Sequence, residues 1–262
     1  MLLFVKIIHR IWNFSTTVIL WTYFLFGYLF LLALLYVPAI IIAKNMATAL
    51  QNINHVHLRC FFALTRALIR RTKFEIPDQV RELRSCVIVC NHLSYLDPIL
   101  LVSIYPRHLT IVKSTFFKVP IFGWFLKSTG YIPSAPNEMM GAAMINNLEA
   151  IKKHLADGGI LFVFPEGTRS RDGKLAAFNK GVFSIARYCN TGVNLVFIHG
   201  TDKLFQPGTF SFHMREKNII TLEVIASLMP DYQGDDFSIG RVTEQAREIF
   251  EKKIAAVQAG KK

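Results

Sequence analysis

The chain has 262 residues, with 30 Lys and Arg against 18 Asp and Glu, a formal net charge of +12. A hydrophobic fraction of 52% and a mean hydropathy of +0.34 are too apolar for a disordered chain and high for a purely soluble one. Fifteen Gly, ten Pro and four Cys exclude collagen-like, low-complexity and disulfide-scaffold classes, and the length suits one or two domains.

The positive charge is uneven. Residues 1–73 carry eight Lys and Arg and no Asp or Glu, leaving 22 basic against 18 acidic residues in the rest. A basic block beside an apolar run suits an anionic membrane surface. No zinc-finger spacing, RNP-like motif or basic–aromatic stripe is found, so nucleic acid is not an expected partner. Cys60, Cys86, Cys90 and Cys189 lack disulfide-framework spacing, which fits a reducing compartment. Cys86 and Cys90 bracket Val87, Ile88 and Val89 and read as a buried strand rather than as metal ligands, so no metal is expected.

From Ile11 to Ala43 there is no charged residue, a run of 33. A helix crosses the hydrocarbon core with about 20 apolar residues, and a signal-peptide core is shorter than this run. The pattern predicts a membrane segment, either one span with Pro38 kinking its end or a re-entrant hairpin broken near Gly27 or Pro38. The basic residues after it, Lys44 onward, place the following domain on the cytoplasmic face. Residues 45–72 read as an amphipathic helix, with Leu50, Ile53, His57, Phe61, Leu64 and Leu68 in one stripe. Arg59, Arg66, Arg70 and Lys73 fall on another face. An interfacial helix is the expected use, and a core-packing helix with a solvated side is the alternative.

Beyond Lys73 strands and helices alternate. Strands are predicted at Cys86–Cys90, Leu109–Val112, Ile160–Phe164, Val193–Ile198 and Ile219–Ile225. Helices are predicted at 137–156, Gly181–Tyr188 and Arg241–Val257. The expected fold is α/β, a mostly parallel central sheet flanked by helices. Ahead of it come the membrane helix or hairpin and the amphipathic helix. The expected division is 1–73, membrane-anchoring and interfacial, and 74–262, the α/β domain.

In open α/β sheets chemistry gathers past the carboxyl ends of strands, and two strands here run into unusual polar loops. The first holds His92 and Asp97, followed by Pro98. A carboxylate bonded to one imidazole nitrogen fixes the tautomer and leaves the other nitrogen as a base. Alternatively, Asp97 is a helix N-cap with Pro98 at the first helical position. The second loop holds Glu166, Gly167, Thr168 and Arg169. Arg169 offers a planar fork for phosphate, Gly167 a close backbone approach and Thr168 a hydroxyl. Glu166 repels phosphate, so it suits positioning Arg169 or binding an acceptor hydroxyl. A surface turn with a Glu–Arg pair is the alternative.

The two blocks together, NHLSYLD and, about seventy residues on, FPEGTRS, resemble the glycerolipid acyltransferase family, often called PlsC-like or lysophosphatidate acyltransferases. The likeness covers roughly residues 75–225. It implies that His92 is the general base for an acceptor hydroxyl, with Asp97 orienting it. The acceptor oxygen then attacks the thioester of acyl-CoA or acyl-carrier protein directly, with no acyl-enzyme. It further implies that Glu166, Gly167, Thr168 and Arg169 bind the acceptor's glycerol phosphate and that no metal or organic cofactor takes part. Arg171, Lys174 and Lys180 keep this stretch basic.

Two departures bear on the acceptor. Pro136 stands where the family usually has a phosphate-contacting Arg, and Val193–His199 lacks the family's strand Pro. The expected function is thus a membrane-bound O-acyltransferase of phospholipid biosynthesis. Its partners are the lipid bilayer, an acyl donor and a lysoglycerolipid acceptor, foremost 1-acylglycerol-3-phosphate giving phosphatidate. A headgroup-bearing lysophospholipid is the second acceptor class, and a non-catalytic lipid-binding protein of the same fold the third reading. The aromatic stretch Phe116, Phe117, Phe122, Trp124 and Phe125 reads as core packing, with an acyl-tunnel border or membrane entry as alternatives.

Overall fold

A computed structural model describes residues 2–134, 142–169 and 175–260. Pro136, Arg171, Lys174 and the start of the helix predicted from residue 137 lie outside the described residues. The chain forms two compact units, one of residues 1–75, 93–106 and 199–221, the other of 76–92, 107–198 and 222–262. Two segments beyond residue 75, 93–106 and 199–221, belong to the first unit.

In the first unit, helix α1 (Leu2–Leu31) continues through a π-helical turn (Leu32–Tyr36) into α2 (Val37–Ile42). Proline lacks an N–H and crowds the carbonyl four residues back, and the π turn relieves this just before Pro38. The helix is unbroken at Gly27, whose lack of a side chain is needed: a Cβ there collides with the His57 ring. From Arg10 to Ile42 this is a 33-residue helix long and apolar enough to cross a membrane.

Helix α3 (Met46–Leu68) starts where the Asn45 side chain accepts from Thr48 N–H at 3.0 Å. It packs on α1 and on α5 (Leu96–Ile104). Its buried face is wider and more polar than the predicted stripe: Gln51, Asn54, His55 and Thr65 are buried with Leu50, His57 and Phe61, while Ile53, Leu64 and Leu68 are only half-buried. Helices lie on two of its sides, so one apolar stripe does not describe it. Several of these buried polar groups are bonded, which offsets the cost of burying them. His55 Nδ1 meets the Val102 carbonyl at 2.9 Å, Thr65 donates to the Phe61 carbonyl, and Tyr36 bonds Asn54. Arg59, Arg66, Arg70 and Lys73 remain exposed, as the interfacial and the core-packing readings both require.

After β1 (Thr72–Glu75) and the short helix α4 (Asp78–Arg81) come β2 (Cys86–Cys90), α5, β3 (His108–Lys113), a 3₁₀ turn (Ser114–Lys118), α6 (Phe122–Ser128) and β4 (Ile132–Ser134). Then follow α7 (Ala142–Ala156), β5 (Ile160–Val163), α8 (Gly181–Cys189), β6 (Val193–His199), α9 (Thr201–Leu204), β7 (Asn218–Leu228) and α10 (Ile239–Ala259). The strand order is β1-β7-β6-β2-β5-β3-β4, and β1–β7, β6–β2, β2–β5, β5–β3 and β3–β4 are all parallel. This is the expected α/β architecture.

In the second unit, β2 and β5 are buried along their whole length, as central strands covered on both faces must be. Alternate residues Val87, Val89, Leu161, Val163, Leu195 and Phe197 share one core with Leu155, Phe183, Ala246 and Phe250 from α7, α8 and α10. The strand and helix predictions from Cys86 onward match observed elements within a few residues. The short β1, β4, α4, α6 and α9 are too brief to show a period and have no predicted counterpart, while α5, apolar round most of its surface, answers only to the alternative that put a helix start at Asp97 and Pro98.

Candidate active site

The register explains why the two motifs meet. Val89 of β2 lies opposite Val163 of β5, so the parallel neighbours end level and release their loops at the same sheet edge. His92 follows β2 by two residues, and Phe164 follows β5 directly. Their rings stack, centroids 4.2 Å apart and planes within 22°. The Phe164 face thereby suits a cationic imidazolium as well as a neutral ring.

Glu166 fixes the backbone beneath this pair. Its Oε1 accepts from the His92 N–H at 3.1 Å and its Oε2 from the Ala176 N–H at 3.1 Å. Glu166 as a whole is 9% exposed. Bonds from backbone donors to an ionised acceptor are among the stronger hydrogen bonds in proteins. The Pro165 carbonyl accepts from Asn179 N–H at 2.9 Å, tying the same loop to the approach of α8. Glu166 therefore holds loop amides, a role the sequence motif did not reveal.

Gly167 has φ +65 with open space around its missing Cβ, so glycine serves the backbone conformation here. Gly167 and Thr168 are exposed and Arg169 is half-buried. This is an accessible donor-bearing loop beside His92. Lys180 is exposed at the cap of α8, where the Asn179 side chain accepts from Gly181 N–H at 2.7 Å.

Asn91, passed over by sequence reasoning, is almost fully buried and bonds Ile198 twice. Its Nδ2 donates to the Ile198 carbonyl at 2.8 Å, and its Oδ1 accepts from Ile198 N–H at 2.7 Å. The side-chain amide thus prolongs the β2–β6 ladder by one rung and fixes where the strand ends and His92 begins. An Asn immediately after an apolar strand is the signal that was available.

In the first unit, Asp97 is completely buried in the first turn of α5. It is not the N-cap residue, which is Tyr95. Its Oδ2 instead accepts from Leu93 N–H at 2.6 Å and Ser94 N–H at 2.7 Å. The carboxylate also profits from the positive end of the helix dipole. Ser94 Oγ accepts from Leu96 N–H at 3.2 Å and donates to the Phe205 carbonyl at 2.7 Å. The whole 93–97 turn is thus cross-braced around one buried carboxylate. Among the described residues no group of three or more His, Cys, Asp or Glu is arranged to hold a metal ion.

The sequence profile of the Acyltransferase family matches residues 71–207. The chain is 35% identical over 124 residues to a chloroplastic 1-acyl-sn-glycerol-3-phosphate acyltransferase of Brassica napus, covering 47% of this chain and 36% of the relative. It is 31% identical over 175 residues to a 1-acyl-sn-glycerol-3-phosphate acyltransferase of Chlamydomonas reinhardtii, covering 67% and 49%. The chain thus spans about a third to a half of the length of these relatives. Among solved structures, the 1-acyl-sn-glycerophosphate acyltransferase PlsC of Thermotoga maritima superposes with a TM-score of 0.65 at 18% identity, covering 94% of this chain and 99% of that one. At that identity the likeness is one of fold. The profile match takes in both motif loops and more than half of the sequence, and the chain belongs to the Acyltransferase family.

Proposed function

We propose that this protein is a membrane-attached O-acyltransferase that converts 1-acylglycerol-3-phosphate to phosphatidate, with His92 as general base. The imidazole takes the proton of the acceptor's free hydroxyl as the oxygen attacks the thioester carbonyl of acyl-CoA or acyl-carrier protein. Collapse of the tetrahedral intermediate breaks the C–S bond, and the departing thiolate takes the proton back from the imidazolium. Asp97 orients the base, and Thr168 and Arg169 bind the acceptor phosphate. The single observation that carries this reading is the Glu166 bridge: it fixes the backbone of His92 at the foot of the loop that presents Gly167, Thr168 and Arg169. The names of the relatives support the acceptor.

The 33-residue apolar helix supports membrane attachment, and the basic residues that follow it support a cytoplasmic catalytic face. A headgroup-bearing lysophospholipid is the second reading, favoured by Pro136 in place of the family's Arg. Purified protein in detergent, given labelled long-chain acyl-CoA or acyl-carrier protein and a panel of lysolipids, separates the two. Phosphatidate as the main product supports the first; a headgroup-bearing diacyl product moves the acceptor assignment and keeps the chemistry.

A further inference from the structure

The second unit carries an outward-facing apolar tip that its own core does not use. Between β3 and β4 the chain makes the 3₁₀ turn Ser114–Lys118, a bend through Val119, Pro120 and Ile121, and helix α6. Large apolar residues crowd the outside: Phe116, Val119, Phe122 and Trp124 are exposed, and Ile121 is 73% exposed. The sequence expectation of core packing for this stretch holds only in part, with Gly123 and Leu126 buried and Phe117 and Phe125 half-buried.

The tip is held firmly in shape. Val119 N–H donates to the Phe116 carbonyl, Gly123 N–H to that of Val119 at 2.7 Å, and Phe125 N–H to that of Ile121 at 2.9 Å. Phe122 packs edge-on against Phe116 and stacks on Phe125. At Gly123 any Cβ would strike the Phe117 backbone, so the turn and α6 press together. Ile121 adopts φ +62, a conformation that costs a β-branched residue on the order of 1–3 kcal/mol. A strained isoleucine kept in solvent is a feature without a folding rationale.

Charge identifies what covers it. From Pro98 through Asn137 the sequence contains no Asp or Glu, while Lys113, Lys118 and Lys127 are exposed around the apolar tip. Lysines whose stems lie along apolar surface and whose ammonium groups reach headgroups, with an interfacial Trp beside them, are the composition of a segment that enters the headgroup layer. An exposed apolar cluster ringed by lysines suits a lipid surface, whose anionic headgroups take the ammonium groups while the layer beneath takes the apolar side chains.

We infer that residues 113–127 form a second membrane contact, in which the catalytic unit itself docks on an anionic bilayer through Ile121 and its aromatic neighbours. This needs from the proposed function only that the protein works at a bilayer.

The test uses the full chain reconstituted into phosphatidylcholine–phosphatidylglycerol vesicles. Cys60→Ala and Cys189→Ala remove the accessible thiols, and a fluorescent label is placed by Ile121→Cys, Met229→Cys or Leu29→Cys in turn. Met229, 80% exposed in the same unit, reports water access, and Leu29 reports the N-terminal helix. The expected result is that the label at 121 is quenched several-fold less by iodide than that at 229 and is quenched by lipid-borne nitroxide. Replacing Lys113, Lys118 and Lys127 by Glu restores iodide quenching at 121. A label at 121 as open to iodide as that at 229 overturns the proposal. So does shielding from iodide without lipid-borne quenching, which indicates a protein partner or a second copy. Loss of lipid quenching at 29 instead counts against the membrane-spanning helix, whichever result position 121 gives.

Discussion

The Oε1 atom of Glu166 accepts a hydrogen bond from the backbone N–H of His92 across 74 positions of sequence, at 3.1 Å. Its second oxygen holds Ala176 N–H, so this one carboxylate ties the backbone at His92 to the stretch that follows the Glu166–Arg169 loop.

Glu166→Ala leaves two backbone amides without their acceptor, at about 1.5–3 kcal/mol for each bond to a charged group. A residue that positions the base affects the chemical step more than ground-state binding. The expected outcome is a fall of at least about tenfold in kcat with acceptor KM changed less than about threefold. Glu166→Gln, which keeps one acceptor oxygen, recovers part of the rate. Steady-state kinetics with varied lysophosphatidate make the distinction: a large rise in KM at unchanged kcat assigns Glu166 to the acceptor instead.

Asp97 holds two backbone amides, the proposed function gives it a second, chemical task, and two substitutions separate them. Asp97→Ala removes the acceptor for Leu93 and Ser94 N–H from a fully buried site, which costs about 3 kcal/mol or more and lowers Tm by roughly 6 °C or more. Asp97→Asn keeps an acceptor oxygen but loses the charge on which the proposed chemical task depends. It is expected to melt within a few degrees of wild type while losing most of its activity. Thermal melts beside acyl-transfer rates check both halves.

Much of this architecture is legible in the sequence for identifiable reasons. Cys86–Cys90 and Ile160–Val163 are unbroken apolar runs bounded by polar loops, so their strand character and the positions of His92 and Glu166 past their ends follow directly. The function of Glu166 does not, because its partners are backbone N–H groups, which carry no residue code. The same holds for Asn91, whose partner is the Ile198 peptide unit. In α3 the stripe misleads because His55 and Asn54 are buried through bonds to Val102 and Tyr36, and periodicity counts only apolar residues. Ile121 was invisible as well: nothing in the local sequence announces an isoleucine at positive φ.

Asn91→Ala deletes both bonds to Ile198 and strands that residue's buried N–H and carbonyl. At about 1–3 kcal/mol for each unsatisfied group, a loss of several kcal/mol is expected. Asn91→Asp is expected to be no better, since its second oxygen faces the Ile198 carbonyl. Denaturation midpoints of the two variants in the same detergent provide the check.

His154 gives the protein an acid sensitivity unrelated to catalysis. Burial first, and Arg107 nearby second, hold its imidazole down from 6.5 to about 4. The unfolded chain takes up this proton near 6.5 while the folded chain resists until about 4. The stability is complete above 6.5, falls as pH drops through that window, and levels off below it. At 1.36 kcal/mol per unit the loss is at most about 3 kcal/mol. His57, also lowered to about 4 by burial, adds a similar slope. Melting temperature followed from pH 7 to pH 4 is expected to fall less steeply in His154→Gln than in wild type. Equal slopes mean that His154 binds its proton as readily in the fold as in the unfolded chain, and so contradict the lowered value.

The central claim is that His92 removes the acceptor's proton. Its most direct test is the single-turnover rate of acyl transfer to lysophosphatidate by wild type and His92→Ala at saturating donor and acceptor. General-base catalysis predicts a loss of about 10²–10⁴-fold, with acceptor affinity retained, because the proposed function assigns the phosphate to the other loop. Transfer by His92→Ala at the wild-type rate contradicts the account.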